Sequence, residues 1–275
     1  MGLTRRSFRL TMIDFHNHIL PNMDDGSSSM EMSLDMLEYA SKQGITDVVN
    51  TIHYQHPKLI GVDISLDNIR KKVDVIQSAL NKNEIPIKIH YGAEVFFLPN
   101  LLDIIHNPLT TFLNGKYMLI EFQPHHIPDI QKQELFDLKM AGITPIIAHP
   151  ERYKPVQENS EFLTNWLEAG CVIQVDAGSV LGTLGKSAKT MSERIIKNGW
   201  CHILGSDSHD NNRRNFCLKE AYELVFEWIG DRANKLIEDH PKAVIEGRPI
   251  AIEFEYESKK QTNFYSLLKS RLSKI

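Results

Sequence analysis

Asp14-Phe15-His16-Asn17-His18 is followed six residues later by Asp24-Asp25-Gly26. Read as a strand over residues 13–19, the stretch sends alternate side chains to opposite faces. Asp14, His16 and His18 then share one face, and Ile13, Phe15 and Ile19 share the other. Two imidazoles on one face can grip a single divalent cation, because neutral His supplies nitrogen ligands. Taken alone, His-x-His fits an edge strand with two surface histidines just as well. What lies downstream decides between the two.

A unit recurs along the chain. A helix-like segment closes on Gly, a β-rich apolar run follows, and the run stops at a residue able to bind metal. Gly44 precedes the run 45–52 and His53, and Gly142 precedes 143–148 and His149. Gly170 precedes 171–175 and Asp176, and Gly199 precedes 200–205 with Asp207 and His209 beyond it. Gly suits the left-handed position that closes a helix, and runs rich in Val and Ile suit strands buried on both faces. Three more runs fit without the leading Gly: 13–19, 87–91 ahead of Glu94, and 117–120 ahead of Glu121. Between them, apolar spacing and caps predict helices over 30–42, 65–82, 98–106, 129–141, 161–169, 188–197, 216–229 and 231–240.

Strands alternating with helices predict a parallel sheet, and seven of them make a closed or nearly closed barrel reasonable. Polar residues at the strand ends suit the C-terminal mouth of a barrel. Open doubly wound sheets also bind there, so the clustering alone does not establish closure.

Composition narrows the field. With 275 residues, 42% apolar and 24% charged, the chain can form one α/β barrel with a full core. A formal net charge of −4 gives no reason to expect nucleic acid or an anionic membrane surface. Cys171, Cys201 and Cys217 are odd in number and follow no CxxC spacing, which suits a reducing compartment. No apolar run follows Arg5, Arg6 and Arg9, so neither a signal peptide nor a membrane span is expected, and the protein is placed in the cytoplasm. Residues 1–11 read as a disordered extension, 12–254 as the single folded domain and 255–275 as a polar, lysine-rich helix or tail.

Nine residues at strand ends offer donors: His16, His18, Asp25, His53, Glu94, Glu121, His149, Asp207 and His209. Nitrogen with carboxylate oxygen suits zinc, manganese or iron better than calcium or an iron–sulfur cluster. Nine donors exceed what one ion uses and suit two or three ions bridged by a carboxylate. Any single His or Glu here could be a cap or a surface group, but nine at matching positions are hard to explain so. Burying so many acids without a cation would also be costly.

All of these residues but His53 lie in motifs that resemble the PHP (polymerase and histidinol phosphatase) superfamily, and most closely its branch of bacterial capsule and exopolysaccharide tyrosine-protein phosphatases. The motifs are IDFHNHILPNMDDG (13–26), YGAEV (91–95), LIEF (119–122), GITPIIAHPERY (142–153), VDAGSVLGTLGKSAK (175–189) and GSDSH (205–209). The resemblance implies a distorted (β/α)7 TIM-like barrel with three divalent metal ions, mostly Mn²⁺, with Fe or Zn as alternatives. By motif position it implies that His16, His18, Glu94 and Asp207 hold the first ion. Glu94 bridges to a second, held with Glu121 and His149, and Asp25, His53 and His209 hold the third. Where members of the branch carry arginines, this chain reads His53-Tyr54-Gln55-His56-Pro57. His56 is therefore either a plain loop residue or an extra ligand or phosphate donor.

The implied reaction is hydrolysis of phosphotyrosine, on the tyrosine-rich tail of a bacterial tyrosine kinase that regulates capsular or exopolysaccharide synthesis. A multimetal site lowers the pKa of water, neutralises phosphoryl oxygens and steadies the leaving oxygen, which predicts a bridging hydroxide as nucleophile and no phosphoenzyme. Guanidinium groups should clamp the phosphate. Arg152 is the first candidate and Arg214 the second, with Arg213 its rival, and Asp207 and His209 complete the catalytic set. Asp14 either orients a ligand imidazole or serves as a core acceptor, and Asp176 is expected outside the ligand set. His125 and His126 either protonate a leaving group or are plain loop residues. A cysteine phosphatase is excluded, because no cysteine has an Arg shortly after it in a phosphate-binding loop. The alternatives are a small-molecule phosphatase of the histidinol-phosphate type, a metal-dependent amidohydrolase, since those barrels also open with His-x-His, and a non-enzymatic scaffold.

Overall fold

The computed structural model describes residues 11–252 except Lys58 and Ile60. The expected extension at 1–11 lies almost wholly outside the described residues, and the expected tail at 255–275 does so entirely. In chain order the main elements are β1 (Met12–Asn17), α1 (Met30–Lys42), β2 (Ile45–Tyr54), α2 (Leu66–Lys82), β3 (Lys88–Phe96) and β4 (Tyr117–Glu121). There follow α3 (Gln131–Met140), β5 (Thr144–Ile147), α4 (Lys154–Glu158), α5 (Glu161–Glu168), β6 (Val172–Asp176), α6 (Ala177–Leu181), α7 (Lys186–Lys197), β7 (Ile203–Gly205) and α8 (Leu218–Ile229).

The strands pair in parallel in the order β1 to β7. Beyond β7 the chain turns back onto β1, where Asp207 N donates to His16 O at 2.7 Å and His18 N donates to Ser208 O at 2.8 Å. The barrel is nearly closed by these bonds, and they are made by the residues of the expected metal motif. No described helix is long and apolar enough to cross a membrane.

Local chemistry explains the elements. Ser29 and Ser65 cap α1 and α2, their hydroxyls accepting from Met32 N and Asn68 N. Gly44 and Gly199, the first and last of the helix-ending series, have φ of 91° and 72°, which side chains resist. Alternation along the strands sorts the apolar residues into two layers. Ile13, Phe15, Val49, Leu119, Ile146, Val172 and Ile203, drawn from six strands, pack with Phe112 as an inner layer. Val48, Met118, Ile147, Ile173 and Leu204, one residue out of phase, pack against the helices.

Three expectations need correction. The helix expected over 98–106 is two short 3-10 turns, Leu101–Ile104 and Pro108–Thr111. Pro108 has no N–H to continue a helical ladder, and the chain then enters left-handed φ at Phe112, which brings its ring 5.2 Å from Phe15. The helix expected over 231–240 is broken by a π turn at Lys235–Asp239 and resumes over His240–Ile245. Strict alternation over 13–19 also fails. The β1–β2 register shifts between Asp14 and Asn17, so Phe15 joins the inner layer while its neighbour His16 reaches into the mouth. A bulge of this kind re-aims a side chain.

Candidate metal centre

Each of the nine expected donors lies in the mouth. β2 carries His53, β3 carries Glu94 and β4 ends on Glu121, while His149 follows β5 and Asp207 and His209 follow β7. Their donor atoms form four overlapping groups, each within 4.8 Å: His18, Asp25, His53 and His209; His16, His18 and Asp207; His16, Glu94 and His149; and His53, Glu94 and Glu121.

Glu94 is the hub. Its Oε2 lies 3.2 Å from His16 Nε2, 3.4 Å from His18 Nε2 and 3.1 Å from His53 Nδ1, and its Oε1 lies 2.9 Å from His149 Nε2. At the rim, Asp25 Oδ1 sits between His53 Nε2 at 3.2 Å and His209 Nε2 at 3.3 Å. Asp207 turns Oδ1 toward His16 and His18, at 3.4 and 3.3 Å. Its Oδ2 accepts from Arg152 and, at 2.7 Å, from Arg214. Arg213 is exposed, and of the pair it is Arg214 that contacts Asp207. His149 and Asp207 hold left-handed backbone, with φ of 31° and 46°, a strain common in functional sites.

Electrostatics follow from this crowding. Burial opposes charge on Glu94, yet His16 and His53 outweigh it and hold its carboxyl well below the usual range. Burial also opposes charge on His53, and Glu94 and Asp25 overcome it and raise the imidazole to about 10. Glu121 is pushed up to about 8 by burial and by Glu94, and His149 is pushed down to about 4 by burial and by Arg152. His53 Nδ1, Glu121 Oε2 and His149 Nδ1 are buried with no hydrogen-bond partner. Convergent nitrogen and oxygen donors with unsatisfied buried atoms fit divalent cations, which would replace the protons now shared by carboxylate and imidazole.

Several supporting residues lie outside the nine donors. Asp24 accepts from His18 Nδ1 at 2.8 Å and from the His53 backbone N–H at 3.3 Å. Gln174, inward on β6, bonds His16 Nδ1 at 3.0 Å and accepts from His149 N at 3.3 Å. Glu151, fully buried, accepts from Asp176 N, and burial beside Asp176 raises it to about 8. The Asp24-Asp25 doublet was a visible signal. Gln174 and Glu151 carried none, because each acts through residues distant in sequence.

The remaining candidates fall outside the cluster. Asp14 contacts no ligand imidazole; its two oxygens accept from Ser206 N at 3.3 and 3.2 Å, tying β1 to the turn that carries Asp207. It is thus the core acceptor of the two readings. His56 is in none of the four donor groups and packs its ring 4.7 Å from His53 and 5.1 Å from Phe96. His125 and His126 are exposed. Asp176 caps α6 and lies 3.4 Å from Arg152. Burial raises the thiols of Cys171, Cys201 and Cys217, that of Cys171 to about 12, the wrong direction for a nucleophile.

Comparison with known proteins agrees with this geometry. The family model for capsular polysaccharide synthesis, CpsB/CapC, matches residues 12–246. Tyrosine-protein phosphatase YwqE of Bacillus subtilis is 31% identical over 87% of this chain and 93% of its own. A chain from the crystal structures of YwqE from Bacillus subtilis and CpsB from Streptococcus pneumoniae, described as unique metal-dependent tyrosine phosphatases, superposes with a TM-score of 0.81. It is 31% identical, with 87% of this chain and 96% of that chain covered. A probable 2-pyrone-4,6-dicarboxylic acid hydrolase of Acinetobacter baumannii shares the fold alone, with a TM-score of 0.54 and 16% identity over 86% of this chain and 99% of that one.

Proposed function

The chain belongs to the CpsB/CapC family of capsular polysaccharide synthesis, and from that membership we propose that it is a metal-dependent protein-tyrosine phosphatase. The observation that carries the reading is the mouth itself, where nine His, Asp and Glu donors gather in overlapping groups, Glu94 among them, with two guanidinium groups on Asp207. His16, His18, Glu94 and Asp207 would hold one ion, Glu94, Glu121 and His149 a second, and Asp25, His53 and His209 a third. Mn²⁺ is favoured, with Fe or Zn next, because Mg²⁺ prefers oxygen ligands and retained waters.

Divalent ions in such a site supply Lewis acidity, bringing the pKa of water near neutrality and neutralising phosphoryl oxygens. The chain's residues do the rest. Arg152 and Arg214 fix Asp207 through Oδ2 and stand beside the cluster as planar donors for a phosphate. Asp24 and Gln174 set the tautomers of His18 and His16 by binding the ring nitrogen that faces away from Glu94. A tyrosine oxygen, with a pKa of about 10, leaves more readily than an alkyl alcohol. That agrees with the absence of a buried His from the loop after Glu121, where His125 and His126 face solvent.

The substrate we assign is a phosphotyrosine protein of the capsule or exopolysaccharide system, namely the tyrosine-rich tail of a bacterial tyrosine kinase in the cytoplasm. The capsular description of the family supports it. The test is to strip the protein with chelator, restore it with Mn²⁺ or Mg²⁺, and compare a phosphotyrosine peptide with histidinol phosphate. Activity should return more fully with Mn²⁺ and favour the peptide. Preference for histidinol phosphate, or turnover of amides and lactones alone, would overturn the assignment.

A further inference from the structure

Beside the donor cluster opens a cavity of about 290 Å³. Glu121, His149 and Arg152 line it where it meets the mouth, and Pro124, Tyr153, Leu184 and Ala188 supply apolar lining beside the one further polar residue, Gln157. Its volume is at the low end for ligand sites, suited to one side chain rather than an extended ligand.

The apolar lining is fixed in place. Tyr153 is almost fully buried, its hydroxyl donating to Ala148 O at 2.8 Å and accepting from Phe122 N at 3.0 Å. It can therefore offer a ring face but no free polar group. Leu184 sits in the turn between α6 and α7. Thr183 Oγ1 donates to Gly178 O at 3.0 Å there, and Gly185 N donates to Gly182 O at 3.2 Å. Leu184 nonetheless remains 37% exposed, a large apolar residue held at the lip of a polar mouth. The run 175–189 places no donor in the metal groups; besides Asp176, which contacts Arg152, it brings Leu184 and Ala188 to this cavity.

We propose that the cavity is the leaving-group subsite, and that Leu184 with Pro124 and Tyr153 selects an aryl ring on the phosphate ester. This rests on the function proposed above and deepens it. The occupant follows from the lining: part of it carries the cluster and Arg152, which take an anion, and part offers apolar surface with no hydrogen-bonding group at Pro124 or Leu184. An aromatic ring joined to phosphate has both characters, whereas a polar amino alcohol such as histidinol gains little from Pro124 and Leu184. Leu184 is a specificity residue that touches the ring and takes no part in the chemistry.

The test uses Mn²⁺-loaded full-length wild type, Leu184→Ala and Leu184→Glu, with two readouts. In kinetics, KM for p-nitrophenyl phosphate should rise about five- to tenfold in Leu184→Ala and further in Leu184→Glu. The Ki of inorganic phosphate, which has no ring, should stay within twofold in Leu184→Ala. In thermal unfolding, phenylphosphonate should raise the Tm of wild type more than methylphosphonate does, and Leu184→Ala should lose that difference. An unchanged KM, equal shifts in KM and Ki, or a phenyl preference that survives in the variant would overturn the subsite. A wild type that turns over alkyl phosphates but no aryl phosphate would instead overturn the proposed function, whatever the variants do.

Discussion

At the lower end of the barrel, Ile13, Phe15, Val49, Leu119, Ile146 and Val172 close around Phe112. One or two inward positions further along the same strands stand His53 after Val49, Glu121 after Leu119 and Gln174 after Val172. Both regions are buried and built by one alternation. In the floor hydrophobic side chains pack on one another, and removing water from them stabilises the fold. In the mouth, carboxylates and imidazoles are held 2.9–3.4 Å apart around Glu94, and the backbone of His149 and Asp207 is left-handed. The floor is therefore where folding free energy comes from, and the mouth is where some of it is given up to hold ligands ready.

Two variants break the comparison from opposite sides. Glu94→Gln removes charge from the hub, and kcat should fall by at least about 10² to 10³, with bound metal lost by elemental analysis. Retention of full metal content would show that Glu94 is not the hub. Phe112→Ala should do the reverse. Truncating a packed Phe costs about 3–5 kcal/mol, read as a lower denaturation midpoint, while metal stoichiometry and kcat of the folded protein stay near wild type. Phe112 fits closely, since a Cβ on Gly92 would lie 2.4 Å from its Cδ1. If Phe112→Ala empties the metal site, floor and mouth are not separable.

The two regions also differ in how far the sequence reveals them. The nine donors were legible because they stand near or beyond the C-terminal ends of the strands in a recurring unit, and barrel closure makes those ends converge. The floor was less legible: its runs read as strands buried on both faces, which does not say which residues point inward, and nothing near Phe112 shows that a left-handed turn after Pro108 sends its ring into the barrel. The bulge that puts both Phe15 and His16 to use was hidden for a related reason. It depends on pairing with β2 rather than on local periodicity. Gln174 and Glu151 were invisible because their partners, His16 and Asp176, are set by tertiary contact.

A smaller effect divides the mouth itself. Asp24 is not in any donor group, yet it holds His18 Nδ1 at 2.8 Å. Asp24→Asn should weaken metal affinity or activity about 10- to 100-fold, well short of Glu94→Gln, with metal still loading at high concentration. Equal loss in the two variants, measured by metal titration, would place Asp24 among the ligands.

The smallest effect belongs to the floor and is read by pH. His202, next to the start of β7, is buried, and its Nδ1 accepts from Ile173 N at 3.1 Å, a bond that needs the neutral ring. Burial, with His240 nearby, lowers its pKa to about 4 from the model-peptide value of 6.5. Between those values the unfolded chain binds more protons than the folded one, so stability rises with pH. The contribution is complete above about pH 6.5 and is lost as pH falls toward 4, reaching about 1 kcal/mol by pH 5.5. Urea unfolding at pH 7 and 5.5 measures it. His202→Asn keeps an acceptor for Ile173 and cannot take up a proton, so its stability should change less over that interval than that of wild type. A slope unchanged by the substitution would move the acid sensitivity from the floor to the carboxylates and imidazoles of the mouth.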